Sequence, residues 1–186
     1  MKYLSLFSGI GGFEYAIHKT LNNPICVGFS EIDKSAIEIY LSHYPTHFNL
    51  GDITKIKKSQ IKSLDIDLVV SGFPCTNLSS LSAIRGDNSG LDGKKSGLFY
   101  SLLKILSWIF SYNKNVKFII ENNNSMKGEW KDTITNILKT NFNNVYINVF
   151  DNAMFGVQSR KRILWTNFKI NKDNIICQQT WNEVLE

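Results

Sequence analysis

Cysteine is scarce: the 186 residues hold three, Cys26, Cys75 and Cys177, too few and too far apart for a disulfide framework. No Cys-x-x-Cys pair is present to suggest zinc, so no metal is expected and a reducing cytoplasm is the simplest setting. Long apolar runs are also missing. Nothing approaches the length that spans a bilayer, and the apolar opening from Met1 to Phe7 reaches Gly9 too soon for a signal peptide, so no membrane partner is expected. Acidic residues are the scarcer charge, 16 against 21 Lys and Arg, leaving a net charge of +5 and a sequence pI of about 9.0. That excess suits a polyanionic partner and fits a plain solvated surface equally well. No repeat or linker divides the chain, and 43% hydrophobic residues can build a real core, so one domain over residues 1–186 is expected.

What is present is an alternation. Residues 3–7, 25–29, 67–71, 118–120, 145–149 and 163–165 read as short apolar strands. Residues 13–21, 36–41, 98–110 and 130–138 carry helical spacing. Residues 49–53 read as a short edge followed by a basic linker, and 76–96 as a long polar, glycine-rich loop. Strands alternating with helices predict an α/β fold, a mostly parallel sheet with helices on both faces.

One strand stands out. The run Leu68-Val69-Val70-Ser71 is broken by Gly72-Phe73-Pro74, which sets Cys75 at the carboxyl end of a strand, where open α/β sheets place their chemistry. A lone cysteine there is otherwise a common small core residue. The turn Gly9-Ile10-Gly11-Gly12 after the first strand would let a cofactor approach the backbone, but the third glycine of the dinucleotide fingerprint is missing, which disfavours NAD. Glu31 falls roughly 20 residues on, where a carboxylate holds ribose hydroxyls. Asp52 and Ile53 suit an adenine ring, the first accepting from its amino group and the second packing on its face. Hydroxyls and adenine without phosphates suggest S-adenosyl-L-methionine; an ordinary turn with scattered surface acids remains the plainer reading. Glu121 follows another apolar run, and Gln158-Ser159-Arg160-Lys161-Arg162 sets two arginines two apart, on one side if extended.

In this order Phe7-Ser8-Gly9-Ile10-Gly11-Gly12, Glu31, Gly51-Asp52, Pro74-Cys75, Glu121-Asn122 and Gln158-x-Arg160-x-Arg162 resemble the DNA cytosine-5 methyltransferase family over nearly the whole chain. The resemblance implies a Rossmann-like S-adenosylmethionine-dependent fold, with Phe7, Ser8, Gly9, Gly11, Gly12, Glu31, Ile32, Asp52, Ile53 and Pro74 around the cofactor. It implies Cys75 as the nucleophile adding to carbon 6 of a flipped cytosine, Glu121 as a neutral acid at ring nitrogen 3, and Arg160 and Arg162 lining the same pocket. The 76–96 loop becomes a lid, with Ser79, Arg85, Lys94 and Lys95 toward double-stranded DNA. Thr76 and Asn123 depart from the residues usual at their positions. In the family a target-recognition region follows about where this chain ends, then a segment that packs beside the glycine turn. The expectation is therefore a minimal or split enzyme, cytoplasmic and of bacterial or viral origin, that pairs with a second polypeptide or with another copy of itself. The tRNA cytosine-5 branch and a non-catalytic regulatory subunit stay open as alternatives.

Overall fold

The computed structural model describes residues 1–74, 97–126, 128–154 and 158–171. Its sheet has six strands in the order β2-β1-β3-β4-β6-β5. Strands β1 (Lys2–Leu6), β2 (Ile25–Ser30), β3 (Leu68–Gly72) and β4 (Lys117–Asn123) run parallel. Strand β6 (Lys161–Thr166) lies antiparallel to both β4 and β5 (Tyr146–Asp151). The helices are α1 (Gly12–Thr20), α2 (Lys34–His43), α3 (Lys58–Lys62), α4 (Leu98–Tyr112) and α5 (Gly128–Asn141). None of the described helices is long and apolar enough to cross a membrane.

Strand alternation sorts the core into two layers. Leu4, Leu6, Val69, Phe118, Ile120 and Trp165 pack toward α4 and α5, while Tyr3, Leu68 and Val70 pack against Ile17 and Phe13 of α1. Helix α4 buries Phe99, Leu102, Leu103, Ile105, Leu106 and Ile109 along one stripe, each contributing about 2 kcal/mol. A bulge in β2 decides where α2 sits. Tyr3 pairs with Cys26 but Leu4 with Gly28, so Val27 is extra and the alternation of β2 inverts after it. Phe29 thereby lands opposite Ser5, on the α1 side, and Tyr40 of α2 stacks on it at 3.9 Å between ring centres.

The expected α/β architecture is present, with three differences. Strand β4 continues past residue 120, because the antiparallel β6 supplies partners for Glu121, Asn122 and Asn123. Residues 49–53 add only a single bridge, Phe29 with Asn49, where an edge strand was expected. The basic stretch beyond them is not a linker: it forms a 3₁₀ turn, Ile53–Lys55, and helix α3, both anchored by buried isoleucines.

Candidate active site

The order β2-β1-β3-β4 reverses direction between β1 and β3, and at such a switch point the strand ends leave a crevice. Here it is a cavity of about 320 Å³. Of the expected cofactor residues, Phe7, Gly9, Glu31, Ile32, Asp52, Ile53 and Pro74 line it, joined by Ser30, Gly72 and Leu98. Ser8, Gly11 and Gly12 form the turn beneath and open α1.

The turn has a backbone few sequences can adopt. Gly9 and Gly11 have φ of 54° and 94°, and Phe7 is left-handed at φ 56°, a conformation a non-glycine residue keeps only where its surroundings hold it. Ser8 N–H donates to the Ser30 carbonyl and Gly11 N–H to that of Ser8. Glu31 ties the turn to β2: its Oε2 accepts from Gly9 N–H at 2.8 Å, and its Oε1 from Ile32 and Asp33 N–H at 2.7 and 2.9 Å. One carboxylate oxygen is thus saturated, and Oε2 retains a lone pair for a ligand hydroxyl. Asn49 steadies this arrangement, with its Nδ2 donating to the Glu31 carbonyl and its Oδ1 accepting from Gly51 N–H. Asp52 caps the 3₁₀ turn, where hydrogen bonds from Thr54 hold its carboxyl below the usual carboxylate range.

The second half of the site adjoins this cavity through β3. Glu121, on β4, pairs in register with Gly72, and a Cβ on Gly72 would stand 3.2 Å from Glu121 Oε2. Any larger residue there would make the carboxylate give way by a few tenths of an ångström. Arg162, on β6, donates from Nε to Glu121 Oε1 at 2.7 Å. Burial pushes the Glu121 carboxyl above its ordinary value, while the charges of Arg162 and Arg160 oppose the rise. Asn122, buried between the sheets of side chains, donates from Nδ2 to the Phe73 carbonyl at 2.8 Å. It thereby pins the segment that leads into Pro74. Arg160 lies just before β6 with an exposed side chain, its N–H bound to Asp151. The structure thus joins Arg162 directly to Glu121, whereas Arg160 acts on it only through its charge.

Cys75, Ser79, Arg85, Lys94 and Lys95, and with them the expected lid, lie outside the described residues. Asn49, Gly72, Leu98 and Asn122 were assigned no role from sequence. Of these, Asn122 carried a signal in the Glu121-Asn122 pair, and Gly72 in the Gly72-Phe73-Pro74 break that ends its strand.

The family model for C-5 cytosine-specific DNA methylase matches residues 1–184. The type II methyltransferase M.HgiCII of Herpetosiphon aurantiacus is 33% identical over 87% of this chain and 36% of its own length. M.SsoII of Shigella sonnei is 33% identical over 94% of this chain and 44% of its own. Among solved structures, S. pombe Dnmt2 methyltransferase superposes with a TM-score of 0.69 at 18% identity, covering 99% of this chain and 58% of that one. DNMT2 of Spodoptera frugiperda gives 0.67 at 24%, covering 96% and 55%. The fold is a Rossmann-like methyltransferase fold, and the chain belongs to the C-5 cytosine-specific DNA methylase family. It spans less than half the length of these two curated relatives.

Proposed function

We propose that this chain is a catalytic domain for S-adenosylmethionine-dependent methylation of carbon 5 of cytosine in duplex DNA. The observation that carries the reading is Glu121, held by Arg162 against Gly72, at the wall between the switch-point cavity and the strand that leads to Pro74 and Cys75. The cavity fits the cofactor by its chemistry. Its described lining combines apolar Phe7, Ile32, Ile53 and Leu98 with the carboxylates Glu31 and Asp52 and no basic side chain, which suits an adenosine with a cationic tail and not a pyrophosphate. When bound, S-adenosylmethionine supplies an electrophilic methyl group.

The remaining work falls to the protein. The Cys75 thiolate adds to carbon 6 of cytosine, making an enamine whose carbon 5 is nucleophilic. Glu121, whose carboxyl burial raises above its ordinary value, donates as the neutral acid to nitrogen 3 as charge builds there, and Arg162 stabilises the carboxylate as its proton is shared. Carbon 5 takes the methyl group and then gives its proton to water; the C–H electrons form the carbon 5–carbon 6 double bond and expel the Cys75 thiolate, and nitrogen 3 returns its proton to Glu121. The base must leave the helix first, at a cost of a few kcal/mol. Ser79, Arg85, Lys94 and Lys95 are assigned to the DNA side of a closing loop. Ile10 and Ile32 beside the turn are 58% and 69% exposed, which supports cover by a second polypeptide or another copy of this chain.

The test is a methyl-transfer assay on mixed-sequence duplex, with tRNA run at the same salt, followed by duplex containing 5-fluorocytosine. Fluorine blocks the last proton loss, so wild type should stay covalently joined to the base and Cys75→Ser should not. Transfer to tRNA alone, or adducts on Cys26 or Cys177, would overturn the assignment.

A further inference from the structure

Behind the glycine turn lies a buried carboxyl that the proposed chemistry does not use. Glu14, in the first turn of α1, is fully buried, and its Oε2 has no hydrogen-bond partner. Its Oε1 accepts from the Tyr40 hydroxyl at 3.0 Å, and that hydroxyl also meets Nδ1 of His47 at 3.0 Å. Tyr40 is itself fully buried, stacked on Phe29 of β2. Its ring also lies against Gly11, where an added Cβ would stand 3.3 Å from Tyr40 Cδ2 and 3.0 Å from Tyr44 Cε2. Gly11 is the left-handed residue that caps α1, two positions from the Gly9 N–H that binds Glu31. Glu14 therefore holds the hydroxyl of a ring whose face supports the cofactor turn.

We propose that Glu14 is a positioning residue for S-adenosylmethionine, acting through Tyr40 on the Gly9–Gly12 turn and doing so as the neutral acid. The inference rests on the cofactor reading above. An orphaned, fully buried Oε2 is tolerable on a carboxyl and costly on a carboxylate. Burial indeed pushes Glu14 above its ordinary value, against the pull of the nearby Ser5 hydroxyl, which makes no full hydrogen bond to Oε2, of its own backbone N–H, of the Tyr40 hydroxyl and of His18. Five other groups around it hold their charge state. Tyr3 on β1, Cys26 on β2, and Tyr40 and Tyr44 at α2 are all raised by burial and stay protonated, and His47 is lowered and stays neutral. As pH rises through the elevated Glu14 value the carboxyl ionises: the hydrogen bond from Tyr40 strengthens, but the charge shared with the unpartnered, buried Oε2 favours opening of the packing behind the turn to water, and the turn loosens.

The experiment is calorimetric binding of S-adenosylhomocysteine to the full chain from pH 6.5 to 8.5, for wild type, Glu14→Gln, Glu14→Leu and Tyr40→Phe. Near-UV circular dichroism checks the fold of each. Glu14→Leu and Tyr40→Phe should raise Kd at pH 6.5 roughly tenfold, the worth of about one hydrogen bond. Glu14→Gln, a neutral isostere, should restore what leucine loses. Wild type should weaken as pH rises while Glu14→Gln varies less. A Gln variant that follows the wild-type pH curve overturns the proposal, as does a folded Tyr40→Phe that binds like wild type. If Glu14→Leu fails to fold, the Gln and Phe variants decide. A wild type that binds no S-adenosylhomocysteine at any pH instead overturns the cofactor reading, and this inference with it.

Discussion

Replacing Arg162 with alanine isolates the charge logic of the candidate active site. The variant leaves Glu121 without the guanidinium that sits 2.7 Å from its Oε1. Breaking a fully buried pair costs about 3–5 kcal/mol. With Arg162 and Glu121 side chains 20% and 26% exposed, water reaches the orphaned group, and about 1–3 kcal/mol is expected near neutral pH. For a chain of this size that lowers Tm by about 2–10 °C. The loss should depend on pH in a definite direction. Burial already raises the folded-state pKa of Glu121, and Arg162 opposes that rise, so the variant raises it further. Stability from such a carboxyl is fully present below its unfolded value, about 4.3, and is lost as pH climbs through the folded value. Wild type and variant should therefore nearly coincide at pH 4 and diverge toward pH 8. Thermal melts at both pH values, with Glu121→Gln and the double variant completing a cycle, measure this. A gap of equal size at pH 4 and pH 8 would mean that Arg162 contributes packing of its stem and little charge, and the account of Glu121 as a tuned acid would fail.

Two further expectations address other parts of the site. Glu31→Ala strips acceptors from three backbone N–H groups; it should cost about 1–3 kcal/mol and abolish the rise in Tm that S-adenosylhomocysteine gives wild type, with NAD giving none, as read by scanning calorimetry. Asn122→Leu removes the donor to the Phe73 carbonyl; it should also cost about 1–3 kcal/mol and reduce methyl transfer far more than S-adenosylhomocysteine affinity, since it frees the approach to Pro74 but leaves Glu31 untouched.

The strands were legible because apolar, β-branched runs are a local signal, and so was the glycine turn, because left-handed backbone demands glycine at Gly9 and Gly11. What escaped was non-local. No residue near Asn49 shows that its amide steadies the backbone of Glu31, 18 positions earlier. Glu14 looked like an interruption of a glycine pattern because the hydroxyl that holds it belongs to a residue 26 positions on. The extension of β4 depends on an antiparallel partner that follows two further elements. The arginine pair illustrates the same limit. Two residues apart in an extended chain predicts a shared face, but the strand begins at Lys161, so Arg162 reaches Glu121 while Arg160 stays in the approach.

The two halves of the site meet at one residue type that a sequence pattern would treat as punctuation. Gly72 ends β3, lines the cofactor cavity, and leaves the space into which Glu121 projects. The cofactor half fixes its acid with backbone N–H donors, which carry no net charge and leave Glu31 Oε2 a lone pair for a ligand hydroxyl. The other half fixes its acid with a guanidinium, so that burial raises the Glu121 carboxyl while the arginine charge opposes the rise. Two carboxylates at strand ends of one sheet thus receive opposite treatment. The difference follows from what flanks each: backbone N–H groups of the glycine turn and of the segment just after β2 for Glu31, and an antiparallel strand bearing an arginine for Glu121.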